Sequence, residues 1–345
     1  MTKSGKHSDA QRNLSRRDAL RLGGAAISLA AAGRHPAAAQ GADPYRIVIA
    51  FPPGGTSTAS MQPMIEPLQK LLGAPITLDY QPGAGGDLAA LHVARAKPDG
   101  HTLLFGHAGP LAINPHLTVL IVYDPQKELE PIALVVRFPI VVCAHTKLGI
   151  TTMDGLIAAG QTRQLVIGSS GNGSIQHLAG EALKRAYGLK TLHLPFAGGG
   201  PVQEALVKGA LDVLCETGSN VVRHIAEGRL VALAVMSSER LAMLPDVPTF
   251  TELGRPELDV AAWFGLMAPA GTPANVQAEL SKSVLTALQE DSVRSALLKI
   301  GGLPSPLDRT GFRDLIASEY KRWGGVIRDA GIKPIGTDSA IGVPR

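Results

Sequence analysis

Three features of this 345-residue chain predict an α/β fold in two lobes, each carrying a mostly parallel sheet. Short β-branched runs alternate with segments of helical periodicity, the pattern of β-α-β units. Two of these runs, Ile47-Val48-Ile49-Ala50-Phe51 and Leu165-Val166-Ile167-Gly168, enter loops of glycine and hydroxyl residues and then helices, one in each half of the chain. Two long extended stretches, 131–145 and 263–269, flank the second α/β unit. A chain that leaves its first domain near 140 and returns near 260 requires two such crossings.

Strand 47–51 is followed by a helix near 59–72, where Met61, Met64, Ile65, Leu68, Leu71 and Leu72 recur at three-to-four spacing. Gly73-Ala74-Pro75 stops it ahead of strand 76–80. Pro82-Gly83-Ala84-Gly85-Gly86 opens a helix over 87–96, Pro98-Asp99-Gly100 turns the chain, and strand 102–106 follows. In the second unit a helix at 152–160 precedes strand 165–168, helix 175–187 and strand 191–194. Phe196-Ala197-Gly198-Gly199-Gly200-Pro201 feeds a helix at 202–208, strand 211–215, helix 219–227 and strand 230–235. Helices over 273–290 and 310–330 end the chain and are expected to pack on the first lobe. The first lobe is thus expected over 44–140 and 260–345, the second over 141–259.

Residues 1–40 read as a cleaved export signal. Ser15-Arg16-Arg17-Asp18-Ala19-Leu20-Arg21 has the twin-arginine form, and Ala37-Ala38-Ala39 offers a cleavage site. The apolar run between them, Leu22 to Gly33, is too short to span a bilayer. A periplasmic location follows as the expectation. Residues 1–39 hold seven of the 33 Lys and Arg and two of the 29 Asp and Glu, so the remainder carries 26 bases against 27 acids. The basic balance of the whole chain is the leader's, and nucleic-acid binding loses its main support. Cys143 and Cys215 sit in apolar strand-like runs and read as buried, unpaired thiols, although an oxidising compartment leaves pairing open.

A strand that turns through glycines into a helix leaves backbone N–H groups and the positive end of the helix dipole facing outward. One such turn is an ordinary βα connection; one in each half suggests a clamp for an anion. With the hydroxyls of Thr56, Ser57, Thr58, Ser169, Ser170 and Ser174, these N–H groups can satisfy a carboxylate without arginine. The alternative is that the hydroxyls only cap helices. His177, on the first turn after its loop, reaches either the cleft or nearby backbone. Phe51 and Phe196 flank two loops as a wall for a ligand's hydrocarbon part or as core. Glu216 and Thr217 follow a strand end, and acidic Glu216 matters if a ligand brings a donor or a positive charge. No H-E-x-x-H or cysteine-rich metal spacing, G-x-S-x-G elbow or Walker loop occurs, and Gly83-Ala84-Gly85-Gly86 is too short for a dinucleotide fingerprint. No enzyme activity, metal or cofactor is therefore expected.

Several segments in order resemble the Bug family, the extracytoplasmic solute-binding receptors of tripartite tricarboxylate transporters. They are Pro52-Pro53-Gly54-Gly55, Pro82-Gly83-Ala84-Gly85-Gly86, Lys97-Pro98-Asp99-Gly100-His101-Thr102-Leu103-Leu104 and Ile113-Asn114-Pro115. Gly171-Asn172-Gly173-Ser174 with His177-Leu178, Leu244-Pro245-Asp246-Val247-Pro248-Thr249, Trp263-Phe264-Gly265-Leu266 and Ala268-Pro269-Ala270-Gly271-Thr272-Pro273 continue the train. Each is weak alone; their order is specific. The resemblance implies a type II periplasmic-binding-protein-like fold that closes two lobes around a small organic carboxylate. It implies a monomer that delivers this ligand to a tripartite tricarboxylate-type permease. A receptor read by a membrane sensor kinase is the alternative, with a periplasmic hydrolase less supported.

The resemblance places the family's ligand loops on 51–58 and about 107–110 in the first lobe, with Phe51, Gly54, Gly55, Thr56, Ser57, Thr58, Ala108 and Gly109 as the expected contacts. In the second it places them on 169–177, 196–201 and 215–219, with Ser169, Ser170, Gly171, Asn172, Gly173, Ser174, His177, Phe196, Ala197, Gly198, Glu216 and Thr217 as the expected contacts. Three departures bear on the ligand. Thr58 stands where the family usually has aspartate, Met61-Gln62 replace a common Ala-Arg, and Phe196-Ala197-Gly198 replace a common Tyr-Lys-Gly. Without that aspartate an amino acid is disfavoured and a mono- or dicarboxylate, aromatic ones included, is the expected ligand class.

Overall fold

β4 (Leu129–His145) is the strand that organises the molecule, because it belongs to two sheets. In the computed structural model, which describes residues 43–118 and 122–333, its stretch from Leu129 to Pro139 pairs with β9 (Ala261–Pro269). From Ile140 onward it pairs instead with β7 (Val213–Thr217) on one side and β8 (Leu230–Met236) on the other. The leader expected over residues 1–40 lies outside the described residues. The first sheet runs β2 (Ile76–Tyr80), β1 (Tyr45–Ile49), β3 (Thr102–His107), β9, β4, with short β10 (Leu303–Pro304) on the far side of β4. The second runs β8, β4, β7, β5 (Leu165–Ser169), β6 (Thr191–Pro195).

Strand direction then decides where the loops go. β1, β2 and β3 are mutually parallel and, through antiparallel β9, parallel to β4. β5, β6 and β7 are mutually parallel and antiparallel to β4. Since β4 leaves the first sheet and enters the second, both sets of strands point their carboxyl ends at the crossing. The second crossing lies beside the first: the Ile140 N–H donates to Val260 O at 3.0 Å, and the Val260 N–H to Met236 O at 3.1 Å.

Helices cover both faces. α1 (Thr56–Leu72) buries Met61, Met64 and Leu68 against Ile47, Ile49, Leu103 and Phe105, despite Pro63 and Pro67 within it. Two C-terminal helices, α8 (Ala274–Ala287) and α9 (Asp291–Lys299), pack on α1. On the other face α2 (Asp87–Ala94) sets Ala89, Ala90 and Val93 against Val48 and Leu104. The helix expected over 273–290 is α8; past it Glu290 takes an extended conformation, and α9 starts there as a further helix not expected from the sequence. The strand expected at 211–215 is displaced to 213–217, so Glu216 and Thr217 are its last two residues. Three further helices, α3 (Pro125–Glu128), α4 (Met153–Thr162) and α5 (Ile175–Tyr187), follow β3, β4 and β5. Among the described residues no helix is long and apolar enough to cross a membrane.

Cys143 and Cys215 are both buried and free. They lie on adjacent strands, but Cys143 sits opposite Leu214 and Cys215 opposite Val142. Side-chain alternation therefore places the thiols on opposite faces of the sheet, where their sulfurs cannot meet.

The last helix, α10 (Arg309–Asp329), packs along β4 and the turn at 109–113, and also touches α5 of the second lobe, where Arg185 pairs with Asp329. Its anchor is polar. Buried Glu319 accepts the indole N–H of Trp263 on β9 at 2.9 Å and that of Trp323 at 3.1 Å. Burial raises the Glu319 carboxyl above its usual range, and the two indole bonds oppose that rise. Glu319→Ala leaves two buried donors unpaired and should cost about 2–4 kcal/mol in chemical denaturation, whereas Glu319→Gln keeps an acceptor and should cost much less. Equal losses in the two variants would mean that side-chain volume, and not the acceptor, holds α10.

Candidate functional site

In the first lobe β1 ends at Ile49 and the chain turns outward through Phe51, which is 37% exposed and stacks on His107 with ring centroids 4.8 Å apart. Gly54 takes φ +88°, and its N–H donates to Thr58 Oγ1 at 3.2 Å. Thr58 thus reaches back to the loop, and no side chain caps α1. Ser57, on the first turn, is buried with its hydroxyl oxygen unpartnered. Ala108 is buried beneath the loop after β3. A Cβ at Gly109 would stand 2.6 Å from the His107 ring and 3.0 Å from Gly85 O, so glycine alone lets this loop close on the one before α2. Asn114 adds a bond from Nδ2 to Asp87 Oδ1 at 3.0 Å, shared with the Tyr123 hydroxyl at 2.9 Å.

In the second lobe the loops are bonded to one another. Ser169 is fully buried; its Oγ lies 2.7 Å from His193 Nε2, donates to Gly171 O at 3.0 Å and accepts the Gly171 N–H at 3.3 Å. Ser174 Oγ accepts the His177 N–H at 3.2 Å and caps α5. His177 is buried, accepts the Gly173 N–H at Nδ1, and stacks on His193 at 3.6 Å. Asn172 is exposed and Gly171 half-exposed at φ +140°. Phe196 donates its N–H to Ser169 O at 2.9 Å and Gly198 its own to Ser170 O at 3.2 Å, which ties the loop before α6 (Gly199–Val207) to the loop before α5. Ala197 between them is exposed. Ser170 Oγ donates to Gln176 Oε1 at 3.1 Å, and Gln176 Nε2 to Glu216 Oε1 at 3.1 Å. That oxygen also takes the Thr217 N–H at 2.8 Å, just ahead of α7 (Gly218–Ala226).

The lobes touch beside these loops. A Cβ at Gly173 would lie 2.1 Å from Leu117 of the first lobe, and one at Gly301 would lie 3.3 Å from Ser219 at the start of α7. Five helices begin where strands end at the crossing: α1, α2, α5, α6 and α7. Only α5 has a side-chain bond from its N-cap; α1 and α6 have bare N-termini, one in each lobe, whereas α7 starts beside the Glu216 carboxylate and α2 continues from a turn in which Ala84 O takes the Asp87 N–H. Two surface grooves of about 610 and 570 Å³ lie elsewhere, one around Arg46, His92 and Arg95 and one around Lys282 and Arg309, and contain none of the loop residues.

The residues expected from the sequence lie in the loops at the crossing or on the strand ends and first helical turns that adjoin them. Ser169, Ser174 and His177 direct their polar atoms to the loop itself, whereas the α1 turn leaves its N–H groups open. His107 and Gln176 are the additions. His107 accepts the Gly109 N–H at Nδ1, at 3.1 Å, so Nε2 carries the proton, and that buried donor has no partner. His107 lies within the loop expected at about 107–110 and Gln176 within that at 169–177, although neither is among the contacts expected from the sequence.

Burial holds the His107 and His177 imidazoles neutral down to about pH 4, where His193 stacked on His177 adds to the effect. Unfolding restores the ordinary value of 6.5, so the unfolded chain binds more protons between those limits. The stability contributed is complete above pH 6.5 and declines as pH falls toward 4, by about 3 kcal/mol at most for His107. Melting temperatures recorded from pH 7 to 4.5 should fall, and His107→Asn should flatten that fall; an unaltered slope would remove His107 as its source.

Residues 62–332 match the tripartite tricarboxylate transporter family receptor, TctC. The protein BugT of Bordetella pertussis is 34% identical over 295 residues, covering 85% of this chain and 90% of BugT. Among solved structures, MatC from Rhodopseudomonas palustris with bound malate is 34% identical with a TM-score of 0.68, covering 82% of this chain and 98% of that one. Rpa4515 of R. palustris with adipate is 28% identical with a TM-score of 0.73, covering 84% and 98%. A match across most of the chain, joined to the two-lobed architecture, shows that the chain belongs to the TctC family of tripartite tricarboxylate transporter receptors.

Proposed function

We propose that this chain is a periplasmic receptor that captures a small organic carboxylate between its lobes and delivers it to a tripartite tricarboxylate-type permease. The observation that carries this reading is the pair of bare helix N-termini, α1 in the first lobe and α6 in the second, at strand ends aimed at a common crossing. Such termini supply oriented N–H donors and positive dipole ends, which suit a carboxylate. Relatives solved with malate and adipate support the same class. The first lobe comprises 44–140 and 260–345 and the second 141–259, a division supported by the change of β4 partners between Pro139 and Ile140. The loop residues from Phe51 to Thr58, Ala108, Gly109, Ser169 to Ser174, His177, Phe196 to Gly198, Glu216 and Thr217 line the ligand. The protein works by binding and closure, with ligand contacts to both lobes favouring the closed state. Residues 1–40 direct its export and are removed.

A thermal-shift screen of the mature chain against organic acids tests this. A ligand at a hundred times its dissociation constant should add about 2.7 kcal/mol to stability, and no shift across a broad panel would end the receptor reading. Gly55→Leu is the informative variant. Gly55 has φ −84°, and a Cβ there meets only Pro52 O at 4.0 Å, so a side chain fits without strain yet stands at the mouth of α1. Its ligand-free melting temperature should match the parent while the ligand-induced shift disappears.

A further inference from the structure

We infer that Glu216 selects ligands that carry a hydrogen-bond donor, a hydroxyl or an ammonium, in addition to their carboxylate. This rests on the receptor reading above and narrows its ligand class. Glu216 is fully buried, yet its two oxygens differ. Oε1 accepts three neutral donors: the Thr217 N–H at 2.8 Å, Gln176 Nε2 at 3.1 Å and Thr217 Oγ1 at 3.3 Å. Oε2 is equally buried and has no partner among the described residues. A buried carboxylate oxygen without a donor is costly, and native proteins rarely keep one without a role.

Its position makes that role specific. Glu216 faces Val141 across the β4–β7 ladder, one residue from the crossing at Ile140; Gln176 and Ser170 wire it to the loop before α5, where Ser170 O in turn accepts the Gly198 N–H of the loop before α6. Across the crossing the first lobe offers donors: the bare first turn of α1, the Ser57 hydroxyl and the His107 Nε2–H. A carboxylate belongs on the side of those donors. A second carboxylate beside Oε2 would set two like charges together with no cation supplied by the Glu216 contacts, whereas a hydroxyl or ammonium gives Oε2 the bond it lacks. The pattern is a cleft with a donating side and an accepting side.

Calorimetric titration of the mature chain with matched pairs tests it: succinate against malate, propionate against lactate, and succinate against aspartate. The member with the hydroxyl or ammonium should bind at least tenfold more tightly in each pair that binds, and the malate and aspartate arms separate the two donors. Glu216→Gln keeps an oxygen for Thr217 and Gln176, whose donors hold the amide in that orientation, and converts the other oxygen to an N–H2 donor. Its preference should fall below threefold or reverse, with the ligand-free melting temperature retained. Equal affinity within every binding pair, or a tenfold preference that survives in the folded Glu216→Gln protein, overturns the proposal while leaving the receptor reading intact. If Glu216→Gln does not fold, the parent's pairwise preferences decide the matter. Binding of no carboxylate at all overturns both.

Discussion

The polarity of β4 is the constraint on which the rest of this structure depends. A strand shared by two sheets has one direction, and every other strand takes its direction through the ladders that lead back to it. β1 and β3 run with it and β5 and β7 against it, so four βα loops must face the point where it crosses. Ligands of open α/β sheets sit outside the carboxyl ends of the strands. Here that rule acts twice, and the two sites become one because the crossing strands lie side by side.

The two lobes meet this requirement with different chemistry. The first relies on close approach, since Gly86 and Gly109 let two loops converge with no room for a Cβ against His107 and Gly85 O. The second relies on a relay of side chains, Ser170 to Gln176 to Glu216, with Ser169 and His193 beneath it. A lobe held by packing offers backbone N–H groups; a lobe held by polar side chains offers acceptors as well. That asymmetry gives the cleft a direction, and α10, anchored through Glu319, lies against both lobes without entering the loops.

Much of this was legible as pattern. The helix at 175–187 and the extended runs ending at His145 and Pro269 follow from periodicity and from glycine and proline punctuation. Departures arose where periodicity is silent. α9 follows α8 after an extended Glu290, a conformation that its residue type does not demand. Glu216 and Thr217 belong to β7 because Ile140 and Val141 pair with them, a partnership more than seventy positions away in the chain. The loop hydroxyls were equivalent as letters; Ser174 turned out to cap a helix while Ser57 was left open, which depends on what surrounds each oxygen.

By itself the sequence determined the α/β class, the glycine loops and the double crossing, because those rest on local propensity and hydrophobic period. It also carried the ordered motifs by which the family is known. Only the tertiary structure decided that the cysteines face apart, what His107 and Gln176 bond within their loops, and that one oxygen of Glu216 is satisfied and the other is not. Those outcomes depend on which atoms long-range pairing brings together, and residue spacing alone does not encode them.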